Sequence, residues 1–378
     1  MDAESLLGKL VGINSVFGSE KAIGEFLESY LRRIGFNTFR QNFGDGRYNI
    51  FAERGDTTKT LLFYGHMDTV TIHGSWKHGP LRLSKEGDKL YGLGACDMKG
   101  GIAAMLTAIE ANKNRGIKVL FCGDEENISQ GAWKAIEMKK WFEGVKFIVS
   151  CEPGDSKKHT GGANVITIGR RGRVVIQVDI TGRSAHGANP QNGINAIYEA
   201  AKIALGTRLF ELRNHPKLGK ENIFVRNIYG SSASALDLPD KAHIELDIQL
   251  VPPSTTMDAL KRSNNMISHL RRTGAIMPGT EVEVRIKERK TPYIDPYVES
   301  TSNPAIRRLL GIVNKCSARP IINYGSSVAD DNILSNSLHK PIVTIGPRGG
   351  NEHAPEEWVS SSSLMELAKL YGEIIVKM

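Results

Sequence analysis

The feature that most constrains this chain is a change of rhythm. Up to residue 169 short apolar runs alternate with helical stripes. From 170 to 290 the order becomes strand, helix, strand, strand, helix, strand, and after Lys290 the first rhythm returns. Runs at 48–52, 60–64, 119–122 and 147–151 have the length and the β-branched or aromatic content of buried strands. Apolar residues at Ile23, Phe26, Leu27, Tyr30, Leu31 and Ile34 predict a helix within 19–34, and 100–112 and 130–140 also read as helices. Strands alternating with helices build an α/β unit on a largely parallel sheet, in which ligands gather beyond the carboxyl ends of the strands.

In the middle segment, 173–180 alternates Val and Ile in strand fashion, 195–210 reads as a helix, and 222–229 and 243–251 as strands. A helix at 256–272 and a strand at 281–288 complete the set. This β-α-β-β-α-β order predicts a small antiparallel sheet backed by two helices, an α+β unit. Residues 321–324 and 341–345 then resemble buried strands, and 363–376 a closing helix. The expected organisation is a discontinuous α/β domain, 1–169 plus 291–378, carrying an inserted domain at 170–290. A chain of 378 residues can supply both cores. The sequence has no internal repeat.

Charge is unevenly placed. The net +8 sits almost wholly in 170–290, which has 19 Lys and Arg against 12 Asp and Glu; the remainder has 30 against 29. The basic segment reads either as solvated surface or as attraction for an anionic substrate or acidic partner. Basic runs interleaved with aromatics are missing, so nucleic acid is not expected. No apolar run approaches a membrane span, and the start lacks the plan of a signal peptide. The four cysteines, Cys96, Cys122, Cys151 and Cys316, form neither a zinc-type pair nor a disulfide framework. A reducing cytoplasm is the expected setting.

Several chemically loaded clusters follow strand candidates. The first is Gly65-His66-Met67-Asp68-Thr69-Val70, in which a neutral imidazole suits zinc and Asp68 can orient it. The same His-x-Asp also occurs as plain structure. The second is Gly92-Leu93-Gly94-Ala95-Cys96-Asp97-Met98-Lys99-Gly100-Gly101. Its spacing matches neither a dinucleotide fingerprint nor a P-loop, which argues against a nucleotide-dependent dehydrogenase. Asp97 reads as a helix N-cap or as a carboxylate bridging two metals. The third is Asp124-Glu125-Glu126, three successive carboxylates that are an exposed acidic turn unless cations neutralise them. With cations present, one Glu can ligate and its neighbour can take a proton from water. Glu152-Pro153, His186 and His353-Ala354-Pro355-Glu356 are bland alone. Together, His66, Asp97, Glu126, Glu152 and His353 supply the nitrogen and oxygen donors that a pair of divalent ions requires, with no thiolate.

In this order the motifs resemble the metallopeptidase family that includes acetylornithine deacetylase, succinyl-diaminopimelate desuccinylase, aminoacylase and glutamate carboxypeptidase. The resemblance runs over almost the whole chain. It implies an amide hydrolase with two divalent ions, zinc foremost and cobalt or manganese as alternatives. His66 and Glu152 would hold one ion, Glu126 and His353 the other, and Asp97 would bridge them. Asp68 would orient His66, and Glu125 would act as general base and then acid. His186 would come from the inserted lid domain, which in such enzymes also mediates dimerisation, to stabilise the oxyanion. Glu at 152 resembles the acylase and carboxypeptidase branches; the dipeptidase and aminotripeptidase branches tend to carry Asp.

Two departures concern substrate. Where the family's lid usually has an Asn-Val-x-Pro turn and an Asp-x-Arg strand, this chain has Leu236-Asp237-Leu238-Pro239 and Asp247-Ile248-Gln249. Gln cannot replace a guanidinium that clamps a carboxylate. Arg226 is the candidate substitute. The alternatives are a small N-acyl amino acid, a peptide C-terminus, or lysine or ornithine released from an acidic amino-group carrier in amino-acid biosynthesis. A non-catalytic protein that has kept the fold is the rival from another class, against which the full set of ligands and base argues.

Overall fold

A computed structural model describes residues 1–113, 115–154 and 161–378. The contacts divide it into two compact units, Met1–Arg170 with Val298–Met378, and Arg171–Tyr297.

In the first unit the main sheet orders its strands Asn37–Gly44, Arg47–Arg54, Ile117–Cys122, Thr60–His66, Val145–Ser150, Ile342–Thr344 and Val165–Arg170, with Ile321–Gly325 beside the last. The central strands run parallel: Thr60–His66 pairs with Ile117–Cys122 on one side and Val145–Ser150 on the other, and Ile342–Thr344 follows in the same sense. Arg47–Arg54 and its hairpin partner lie antiparallel at one edge. Every residue of Thr60–His66 is buried, which is why 61–64 is an unbroken apolar run rather than an alternation. Phe63 meets Tyr371 of the closing helix edge-on, with centroids 5.3 Å apart. Each such fully buried large side chain contributes about 1.5–3 kcal/mol.

Helix Lys99–Ala111 packs between the terminal helices Ala3–Val11 and Ser361–Lys377. Gly101 lets the same helix approach the end of strand Val145–Ser150: a Cβ there would collide with the Cys151 carbonyl. The helix expected over 130–140 is instead two pieces, Gln130–Ala135 and a 3-10 turn Lys139–Phe142. Breaking the helix lets both Trp141 and Phe142 bury, and Trp141 stands edge-on to Phe51 with centroids 4.7 Å apart. Tertiary burial overrides helical propensity here.

The second unit is a four-stranded antiparallel sheet, ordered Asn222–Ser231, Lys241–Leu250, Gly172–Thr181 and Glu281–Ile286. Val174, Ile176, Val178 and Ile180 alternate inward, with Ile244, Leu246, Ile248 and Leu250 beside them, against helices Ala196–Gly206 and Thr256–Arg272. Beneath them Arg262 is locked to Glu221 (Nη1 to Oε2 2.5 Å, Nη2 to Oε1 3.1 Å), both side chains almost wholly buried. The opposite face carries Gln177, Asp179, His243, Glu245 and Asp247, with Val175, Phe224 and Tyr229 among them. No helix among the described residues is long and apolar enough to cross a membrane.

Candidate metal centre

The parallel strands of the first unit end together, and their ends carry the chemistry. His66 closes its strand with its side chain buried. Its Nδ1 bonds the Asp68 backbone carbonyl at 3.0 Å, which turns Nε2 toward Asp97. The Asp68 carboxylate lies 3.7 Å from Nδ1 and accepts the backbone amides of Glu125 (3.2 Å) and Glu126 (2.9 Å). Asp68 therefore orients His66 through its main chain and fastens the acidic loop through its side chain.

Asp97 does not cap the helix that follows it. Met98 holds the cap position, without a side-chain bond, after a cis peptide from Asp97. The Asp97 carboxylate faces two imidazoles, with Oδ1 3.1 Å from His66 Nε2 and Oδ2 3.5 Å from His353 Nε2. His353 Nε2 is also 3.0 Å from Glu126 Oε2. His353 takes a positive φ of 61°, as do its neighbours Asn351 (59°) and Glu356 (62°). Glu356 braces that loop by accepting the amides of Lys77 (2.5 Å) and His78 (3.3 Å) and bonding the His78 ring.

Glu152 follows the Val145–Ser150 strand. Its Oε2 is held by Arg170 Nη2 at 2.9 Å, and the same buried guanidinium bonds Asp331. Its Oε1 is buried, has no hydrogen-bond partner among the described residues, and lies 3.9 Å from His66 Nε2. One donor atom each from His66, Asp97 and Glu126 lies within 4.8 Å of the others, and so does one from each of His66, Glu125 and Glu152. Of the three successive carboxylates only two point here. Asp124 is fully buried and turned to Arg47 (2.9 Å) and the Gln130 amide (3.1 Å).

Electrostatics tie the set together. Burial, and then the Glu152 charge, push Glu125 well above the ordinary carboxyl range. Burial raises Glu126, and raises Glu152 despite the pull of Arg170. Burial also acts upward on Asp97, but hydrogen bonds to His353 and His66 outweigh it and hold Asp97 low. Asp97, then Glu126, lift His353 to about 11. Burial acts downward on His66, yet the neighbouring Asp68 and Asp97 carboxylates raise it well above the usual imidazole value. Buried carboxyls thus draw positive charge to this spot. Divalent ions fit that demand, and Glu152 Oε1 is the unpartnered oxygen they would engage.

Two residues of this centre carried no signal in the sequence. Arg170 leaves Glu152 one oxygen to offer. Glu357 is buried and accepts three backbone amides of the Asp97 loop: Gly94 at 2.7 Å, Cys96 at 2.8 Å and Asp97 at 2.9 Å. In the sequence it looks like the second of two loop glutamates.

The remaining predicted site residues belong to the second unit. His186 is exposed and its Nδ1 accepts the Ala188 amide at 3.1 Å. Arg226 is half-exposed on the edge strand and sits where the pairing with Lys241–Leu250 slips register. Its Nη1 is 3.6 Å from Asp247 Oδ2. Arg173, directly across from Gln249, grips the same Asp247 through Nε (3.0 and 3.2 Å) and Nη2 (2.5 Å).

A mostly parallel sheet whose strand ends gather buried carboxylates and imidazoles defines a metal-dependent hydrolase. The chain belongs to peptidase family M20/M25/M40, whose model matches residues 62–377. It is 27% identical over 380 residues to succinyl-diaminopimelate desuccinylase of Gluconacetobacter diazotrophicus, covering 94% of this chain and 91% of that one. It is 36% identical over 219 residues to carboxypeptidase G2 of Pseudomonas sp. (strain RS-16), a match covering 53% of this chain and 49% of that enzyme. The fold is similar to that of the Bacillus subtilis YXEP protein, described as a dinuclear metal-binding peptidase of the M20 family. The TM-score is 0.75 at 12% identity, covering 99% of this chain and 96% of that one.

Proposed function

We propose that the chain hydrolyses an amide bond of an N-acyl amino acid or a peptide C-terminus with two divalent ions, zinc foremost. The observation that carries this is the Asp97 carboxylate, which offers one oxygen to the side of His66 and the other to the side of His353. His66 and Glu152 would hold one ion and Glu126 and His353 the other, with Asp97 a donor shared by the two sets. Bound there, such ions polarise a carbonyl and make water a nucleophile near neutral pH. Glu125 removes the proton from the attacking water and passes it to the departing amine nitrogen. Burial of its carboxyl supports that role, because a base must also be a competent acid one step later. His186 is the proposed donor to the oxyanion. Arg226 takes the substrate carboxylate; its place at a register slip supports this, since bulges re-aim side chains.

The second unit also forms the homodimer contact. Phe224, Ile228 and Tyr229 are exposed on its edge strand, beside Tyr198 and Leu205 of the helix. Four unpaired cysteines accord with a cytoplasmic site of action. One observation favours a second substrate reading: the surplus of basic residues lies in 170–290, where an acidic carrier bearing lysine or ornithine would dock.

Chelated protein should be reloaded with zinc, cobalt or manganese and assayed on N-acetyl and N-succinyl amino acids, on peptides of varied C-terminus, and on glutamyl-linked lysine or ornithine. Metal-restored turnover of one class supports the hydrolase reading and selects the substrate. Two bound metals without turnover of any of these refute the small-substrate reading.

A further inference from the structure

The first unit has a second concavity, at the opposite end of its sheet. It is a cavity of about 630 Å³ at the starts of strands Thr60–His66 and Val145–Ser150 and the first turn of helix Pro304–Cys316. At ~3.3 Å per residue along the Thr60 strand, it lies ~20 Å from His66. A ligand there is not in contact with the metal centre.

Its floor is apolar, built by Leu61, Phe147 and Ile375, all buried. Its rim is cationic. Lys59, Arg115, Lys146 and Arg308 line it against Asp56 alone among acidic side chains, and Asp56 is already engaged by Thr58. Met378 also lines it. None of the four cations has an ion pair or side-chain hydrogen bond among the described residues. Several other cations of this unit are paired: Arg40 with Glu28, Arg47 with Glu20 and Asp124, Lys77 with Glu86, Lys85 with Glu4. Outside 170–290 the chain is close to neutral, 30 basic residues against 29 acidic, so four converging cations are a local departure. Like charges around a concave apolar floor repel one another unless an anion joins them. The volume falls in the range that holds a small molecule.

We propose that this cavity binds a small amphipathic dianion, with its charged head between the two guanidiniums and two ammoniums and its apolar body on Leu61 and Phe147. A phosphate monoester and a dicarboxylate share that chemistry. Guanidinium forks engage either bidentately, and the lysines add compact charge.

The test is calorimetric titration of the metal-loaded full chain with phenyl phosphate, with phenylsuccinate, and with benzyl alcohol as the uncharged control. At least one dianion should bind once per chain, more weakly as sodium chloride rises, and benzyl alcohol should not. Lys146→Glu and Arg308→Glu should each weaken binding tenfold or more. Both side chains are exposed, so melting midpoints should stay within about 2 °C of the parent, and metal content should be unchanged. The stronger dianion identifies the head group. The proposal is overturned if neither dianion binds saturably, if benzyl alcohol binds equally, or if either variant weakens binding less than tenfold. In that last case the probe sits elsewhere, the metal centre included. Neither result bears on the hydrolase reading, because no residue of the cavity is assigned to the metal centre.

Discussion

Glu357→Ala should damage the metal centre without removing a ligand. The Glu357 carboxylate is buried and accepts three amides from the loop that carries Asp97. Burial raises the Glu357 carboxyl to about 8 against the pull of these amides. Above that pH the bonds have the worth of bonds to a charged group, about 1.5–3 kcal/mol each, and each buried amide left without a partner costs about 1–3 kcal/mol. These are not additive in one network, so the expected loss is about 3–5 kcal/mol, close to that of breaking a buried ion pair. Glu357→Gln separates charge from geometry. Its oxygen can keep the Cys96 and Asp97 amides, both of which meet Oε1, while its NH2 faces the Gly94 N–H that Oε2 now accepts. One bond is lost and two donors oppose, so about 1–3 kcal/mol is expected. The assay is urea unfolding of chelated protein, with metal content measured after dialysis against buffered free zinc. Ala should lower both stability and occupancy, and Gln should recover most of the occupancy. An Ala variant within about 1 kcal/mol of the parent and with the same metal content would refute the idea that Glu357 sets the Asp97 loop.

Other outcomes can be checked in parallel. Glu125→Gln should lower kcat by about 10²–10⁴-fold or more with metal content unchanged, and a kcat near the parent's removes Glu125 as the base. His353→Ala should cost occupancy at one of two positions, read by metal analysis; full occupancy contradicts its assignment. Arg262→Met should destabilise the second unit by about 3–5 kcal/mol at neutral pH, because Glu221 is left buried without its counter-charge. Burial pushes Glu221 up, but hydrogen bonds from Arg262, Ser254 and the Arg213 amide outweigh it and hold Glu221 below its ordinary value of 4.5. Its stabilising effect is therefore complete above that value and is lost as pH falls through the lower folded value. In Arg262→Met the sign reverses, and the deficit should shrink on acidification; urea midpoints from pH 7 to pH 3 report both slopes. Tyr229→Asp should shift the particle toward monomer in sedimentation, whereas an unchanged mass argues against pairing through the edge strand.

The strands of both units were legible because burial leaves a plain signature. Thr60–His66, buried throughout, has an apolar run at 61–64, and Gly172–Thr181, with one face inward, alternates. The clusters around His66, Glu126 and Glu152 were legible because each follows such a strand. What the sequence hid depends on distance along the chain. Glu357 matters because folding brings it to Gly94, Cys96 and Asp97, and no local pattern separates it from Glu356, which braces a different loop. Asp124 looked equivalent to Glu125 and Glu126 until Arg47 was seen to claim it. Arg170 reads as one of several basic residues beginning the middle segment, and only its burial beside Glu152 and Asp331 marks it out. The segment after Gln130 misled because Trp141 and Phe142, just past the expected helix, gain more from meeting Phe51.

The proposed donors run from His66 near the start of the chain to His353 near its end, with the whole second unit threaded between Glu152 and His353. On a ribosome adding roughly 5–20 residues per second, the last donor follows the first by about 15–60 s. During that interval the nascent chain exposes His66, Asp97 and the acidic loop with no partner to complete the second position. A chain cut short anywhere before His353 stays in that state. On the proposed assignment, high-affinity uptake of the second ion would therefore come only after His353 has been made, and full occupancy would distinguish molecules that contain it from shorter ones.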